Sequence, residues 1–146
     1  MDIAALITWL LTAGGGFVLL GTWIARGGHK QPGVSRLPRP VIFGHFLLAA
    51  IGLVLWIIYV AGDSKAVAWT AFGFLVPVAL LGFGMFARWL PVYQARAAAG
   101  ATDSDDLTGV APAVPAEQHF PVPVVLLHGL LAATTLVLVL IAAIKS

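Results

Sequence analysis

Cysteine is absent from the chain, which excludes disulfides, thiolate nucleophiles, iron–sulfur clusters and cysteine-based zinc sites. Charge is scarce too. Only 10% of the 146 residues are charged and 60% are hydrophobic, whereas a soluble domain is about 25% charged. A domain this small leaves much of its surface wet, so the shortfall cannot be hidden in a core and lipid must solvate much of the chain. The long apolar stretches carry no Asp or Glu, which disfavours a proton pump or cation-coupled carrier. No inverted repeat with broken half-helices, G-x-S-x-G, P-loop or H-E-x-x-H signature can be read, and the short loops leave little room for a soluble catalytic domain. No basic aromatic patch or nucleic-acid motif is present, and nucleic acid is set aside as a partner.

Four stretches are long and apolar enough to be helices crossing a bilayer, which takes about 20 residues each. They run over residues 4–25, 41–61, 66–90 and 122–144. The first has Asp2 and no Lys or Arg ahead of it, is too long for a signal h-region, and is read as a retained helix. Pro38 and Pro40 bracket the start of the second span, and Pro121 and Pro123 that of the fourth, positions where the missing N–H is not needed. The turn Gly62-Asp63-Ser64-Lys65 is tight, so spans two and three are antiparallel neighbours.

Lysine and arginine set the orientation. Arg26, Lys30, Arg36, Arg39, Arg88 and Arg96 fall on one side, Lys65 and Lys145 on the other. Both longer loops are therefore expected in the cytoplasm and both termini outside. The alanine-rich composition points to the inner membrane of a bacterium. Residues 97–118, rich in Ala, Pro, Asp and Gly, read as a flexible cytoplasmic loop, and Asp103, Asp105 and Asp106 within it as a solvated acidic run.

The feature that asks for chemistry is a pair of histidines inside spans. His45 lies four residues past Val41 and His128 six past Val122, depths of roughly 6 and 9 Å. Both spans run in the same direction. In an up-down bundle they are diagonal and face each other across the core. An ionisable residue inside a bilayer is a functional-site hypothesis by default, and two at one level suggest a shared ligand, for which a haem iron is the leading candidate. Gly44 and Gly129 beside the histidines would let a ring lie close to backbone, and Gly14, Gly15, Gly16, Gly73, Gly82 and Gly84 could open the same space. Arg88, Arg39 and Arg26 lie near the level of haem propionates. The alternative is that the two histidines only pack and hydrogen-bond between helices. The second and fourth spans share Pro, apolar residues, a Gly/His pair and aliphatics, but the order of that pair is reversed and no internal repeat is read from it.

A four-helix membrane bundle with histidines on alternate helices resembles the b-type cytochromes of the cytochrome b561-like kind and the haem-bearing anchor subunits of respiratory complexes. The resemblance covers the four-span layout and the two histidines, and includes no distinctive motif. It implies that His45 and His128 are axial ligands, with haem b as cofactor and quinone or a larger membrane complex as partner. Many such proteins hold two haems on four ligands. Only two histidines lie inside spans here, which allows one bis-histidine haem near the cytoplasmic leaflet.

Other residues read more plainly. Met85 is a rival ligand or packing material. His119 and His29 read as wetted loop histidines. The five tryptophans, with Tyr59 and Tyr93, lie mostly near span ends and read as an aromatic belt. Pro77 should kink the third span. Thr8, Thr12, Thr22, Thr134 and Thr135 can bond their own backbone. The expectation is an all-α, four-span transmembrane up-down helix bundle embedded as one domain in lipid. Its function is electron transfer through one haem, or that of a non-catalytic accessory subunit, or a narrow transport or lipid-binding role.

Overall fold

The computed structural model describes residues 1–30, 34–99 and 114–146. Four helices, α1 (Asp2–Ala25), α2 (Arg39–Gly62), α3 (Lys65–Ala99) and α4 (Val122–Lys145), form an antiparallel up-down bundle, with a 3₁₀ turn at Ala116–His119 ahead of α4. Each helix is long and apolar enough to cross a membrane. The apolar surface runs all the way round: Leu80 is 69% and Phe83 73% exposed. A helix apolar on every face needs an apolar surrounding, and lipid supplies it where the bundle does not.

Helix boundaries follow local chemistry. Pro40 and Pro123 occupy the first turns of α2 and α4, where no intrahelical N–H bond is lost. The α2–α3 turn is made by Asp63 in the left-handed conformation (φ 51°), its N–H bonded to the Tyr59 carbonyl at 2.7 Å, a helix-ending geometry that Asn, Asp and Gly tolerate. The third helix runs nine residues past the expected span end at Leu90. Residues 91–99 are mostly helix formers, but Gln94 and Arg96 among them are polar: hydropathy marks where the apolar stretch ends, not where the helix does. The helix passes through Pro77 and Pro91.

Part of the loop expected to be flexible is built into the fold. Residues 97–99 are helical, and Ala116–His119 sits between α1 and α3. There the Ala116 N–H donates to the Val34 carbonyl at 2.8 Å, and the Arg36 N–H donates to Glu117 Oε1 at 2.6 Å. Residues 34–37 and 115–120 thus close one end of the bundle, the plugged end. Residues 100–113, with Asp103, Asp105 and Asp106, lie outside the described residues.

Helix α1 packs chiefly on α4 and α2 on α3. The α3–α4 seam is looser, the α1–α2 seam loosest, and the backbones of α2 and α4, and of α1 and α3, do not approach each other. The parallel helices α2 and α4 are therefore diagonal. The buried core falls into two clusters. One gathers Trp9, Trp56, Tyr59, Leu75 and Val139 toward the chain termini. The other gathers Trp23, Trp89, Leu37 and Phe120 at the plugged end, with Leu19, Ile42 and Met85 packed against it. On α1 about 15 Å of helix separates Trp9 from Leu19, and the two clusters do not merge. The tryptophans do not form the expected belt. Trp9, Trp23, Trp56 and Trp89 are buried and only Trp69 is exposed. A position near a span end does not say which face of the helix a ring occupies, and on helices apolar all round the sequence carries no signal for that face.

The two halves of the bundle correspond in sequence and burial, α2 to α4 more closely than α1 to α3. With His45 set on His128, α2 and α4 align without a gap over all 24 residues. Pro-Val at 40–41 matches 123–124, Leu-Leu-Ala-Ala at 47–50 matches 130–133, Leu-Val-Leu at 53–55 matches 136–138, and Ile58 matches Ile141. In the same way Ala5, Ala13, Gly16, Phe17 and Trp23 of α1 match Ala71, Ala79, Gly82, Phe83 and Trp89 of α3. Burial matches too: Trp56 with Val139, Tyr59 with Ala142, Ala5 with Ala71 and Trp23 with Trp89 are all buried pairs. The tight pairs α1–α4 and α3–α2 exchange under this correspondence, which is the behaviour of parallel repeats about an axis along the bundle. The reversed Gly/His order hid the repeat, because aligning the glycines shifts every other match out of register.

Candidate functional site: two imidazoles on the bundle axis

His45 and His128 are each the seventh residue of their helices, α2 and α4. Their ring centroids lie 6.4 Å apart, with the planes at 56°. The backbones of the diagonal helices that carry them stay apart, so the rings reach toward each other across the axis, at the level between the two buried clusters.

Each ring is held by a helix of the opposite half. His128 Nδ1 lies 2.8 Å from the Thr12 carbonyl of α1, and His45 Nδ1 lies 3.0 Å from the Val78 carbonyl of α3. A carbonyl only accepts, so each Nδ1–H is the donor, and in a neutral imidazole the Nε2 lone pair is left over. Neither Nε2 has a hydrogen-bond partner among the described residues. The buried side-chain atoms without a partner are His29 Nδ1 and Glu117 Oε2, so neither imidazole Nε2 is sealed off.

Glycine makes both contacts possible, on the helices opposite the histidines. A Cβ on Gly16 would stand 3.2 Å from Cε1 of His128, and a Cβ on Gly82 would stand 3.2 Å from Cε1 of His45. Gly16 is four residues after Thr12 and Gly82 four after Val78, one helical turn on, so carbonyl and glycine form the same cradle twice. Gly15 adds a second close approach to His128. Gly44 and Gly129, expected to bring the rings near backbone, do not do so: a Cβ on either would meet nothing within 4 Å. Gly14, Gly73 and Gly84 likewise face open space.

The remaining candidates are further away. Arg39 is the first residue of α2, a turn and a half before His45, and is exposed. Arg88 follows Gly82 by a similar distance and donates from Nη1 to the Arg36 carbonyl at 3.3 Å. Arg26 is exposed just past α1. All three are at the plugged end. Met85 packs into the plugged-end cluster. His119 Nδ1 is 3.4 Å from the Ala116 carbonyl, and its side chain is exposed. His29 is half-buried, with its Nδ1 buried without a partner and its ring near Trp23. The threonines behave as expected, with Thr12, Thr22 and Thr134 each bonded to the carbonyl four residues earlier.

Two residues do more than the sequence reading gave them. Thr135 bonds the Leu131 carbonyl at 2.8 Å as expected, and it also lies 3.0 Å from Thr8 Oγ1, which ties α4 to α1 beneath the His128 cradle. Glu117 is fully buried at the plug, where its carboxylate bonds the Arg36 backbone. Nothing local marks either: Thr135 has the same neighbours as a lipid-facing threonine, and Glu117 sits in a stretch whose composition reads as solvated.

Among the described residues no group of three or more His, Asp or Glu could hold a metal ion. Side-chain donors at the axis are therefore two imidazole nitrogens. No family model matches the chain, and no curated protein or solved structure matches it either.

Proposed function

We propose that the chain is a multi-pass membrane protein that binds one haem b, with His45 and His128 as axial ligands through Nε2. The observation that carries the reading is the ring pair: centroids 6.4 Å apart, with each Nδ1 engaged behind its ring by a backbone carbonyl. A separation of this size would admit one metal ion between the two imidazoles, each nitrogen about 2 Å from it. A metal-ligating histidine characteristically gives its other N–H to a carbonyl or carboxylate, which sets its tautomer and aim. Two protein donors do not complete a coordination sphere, so the remaining ligands would come from a bound group, and a haem held by His45 and His128 would supply them. The break between the two buried clusters is at the level where such a group would lie.

Bound there, haem would supply one-electron redox chemistry. The protein's part is positioning. Thr12 and Val78 keep the Nδ1 protons, Gly16 and Gly82 admit the rings, and the flanking clusters keep water from the axis. Arg39 and Arg88 at the plugged end are the cations available to carboxylate substituents. Six of the eight Lys and Arg residues fall at this end or in its loops, and on the positive-inside rule it faces the cytoplasm. Electrons would be exchanged with quinone or a larger membrane complex near that face.

A second reading rests on the same bonds. Each Nδ1–carbonyl contact ties one hairpin to the other, which is what packing histidines in a structural accessory subunit do. The optical spectrum of protein purified in detergent from haem-replete cells separates the two. The cytochrome reading expects a sharp Soret band, α and β bands on dithionite reduction, and one haem per chain. Colourless protein, or pigment that survives in both His45→Ala and His128→Ala, overturns it in favour of the accessory role.

A further inference from the structure

At the plugged end, between the last turns of α3 and the start of α4, lies an open cavity of about 610 Å³ lined by Tyr93, Arg96, His119, Phe120, Pro121 and Val122. Its chemistry is graded along the bundle. Arg96 is at the outer level, while Phe120, Pro121 and Val122 lead onto the first turn of a candidate span. Tyr93 stands between, its ring stacked on Trp89 at 5.2 Å. Arg96 spends one donor on the Gln118 carbonyl at 2.8 Å, which holds the exposed guanidinium at the rim and leaves its other N–H groups for a ligand. The acidic member of the adjoining turn is turned away: Glu117 is fully buried and bonded to the Arg36 N–H, and among the described residues no carboxylate lines the cavity.

We infer that this cavity seats the headgroup of an anionic phospholipid. A fixed cation above an apolar wall at a helix end matches a phosphate above acyl chains, and basic pockets between membrane helices recognise acidic headgroups in this way. Arg96 pairs with the phosphate, Tyr93 offers its hydroxyl at the glycerol level, and the chains run down over Phe120, Pro121 and Val122. The inference needs no metal at the histidine pair and holds under either reading of that site.

Native mass spectrometry of the full-length detergent-purified protein, offered equal amounts of phosphatidylglycerol and phosphatidylcholine, tests it. The expected result is a single retained adduct favouring phosphatidylglycerol by about fivefold, the effect of one cation near a membrane surface. Arg96→Ala should bring the two lipids to parity, Arg96→Lys should keep most of the preference, and Lys65→Ala at the opposite end should keep all of it. Arg96 is exposed, so helicity and melting of Arg96→Ala should match the parent. Equal retention by the parent, an undiminished preference in Arg96→Ala, or displacement of the adduct by millimolar inorganic phosphate overturns the inference, the last by making the site one for free phosphate.

Discussion

Gly82 on α3 lies so close to His45 that a Cβ there would stand 3.2 Å from the ring. Gly82→Ala needs a shift of a few tenths of an ångström, and Gly82→Leu needs the imidazole to leave its cradle. Overpacking of this kind costs about 1–3 kcal/mol. The leucine variant is expected to lower the melting temperature in detergent and to remove any haem spectrum, the alanine variant to do much less. Equal behaviour of the two would mean that the ring is not held against α3.

The repeat makes Gly16 and Gly82 equivalent, and His45 and His128 likewise. Gly16→Leu should therefore match Gly82→Leu, apart from an added effect of Gly15, whose Cβ would also approach His128. Either histidine-to-alanine change alone should remove the pigment as completely as both together. Thermal shifts from losing one interhelical bond are expected at about 0.6 to 2 kcal/mol for each. A large inequality between His45→Ala and His128→Ala, measured by haem content, would contradict equivalent ligands.

Glu117 separates hydrogen bonding from charge at the plug. Its Oε1 accepts from the Arg36 N–H at 2.6 Å, and its Oε2 is buried without a partner. Glu117→Gln keeps an acceptor for that N–H, whereas Glu117→Ala leaves it buried and unpaired at about 1–3 kcal/mol. Proteolysis within residues 100–120 should accelerate in the alanine variant and much less in the glutamine variant. Identical rates in the two would mean that this bond does not hold the plug.

Gly28 holds the other side of the same end. A Cβ there would collide with the Trp23 indole, which is buried and donates from Nε1 to Ser35 Oγ at 2.9 Å. Gly28→Ala should push the indole out, break that bond and cost about 1–3 kcal/mol, seen as a shift in tryptophan emission together with a lower melting temperature. Unchanged emission would show that the loop yields instead.

The sequence by itself determined four spans, their ends within a few residues except at the end of α3, the tight pairing of α2 with α3, and two histidines at one depth, because the demand of lipid for uninterrupted apolar helix is local and is written residue by residue. It also held the repeat, which emerges once His45 rather than Gly44 sets the register. Only the tertiary structure decided that α1 pairs with α4, that Gly16 and Gly82 rather than Gly44 and Gly129 cradle the rings, that four tryptophans turn inward, and that Glu117 is buried. Helices apolar on every side carry no stripe to announce a partner. The choice among faces is made by small residues, interhelical hydrogen bonds and shape, and those act between segments far apart in the chain.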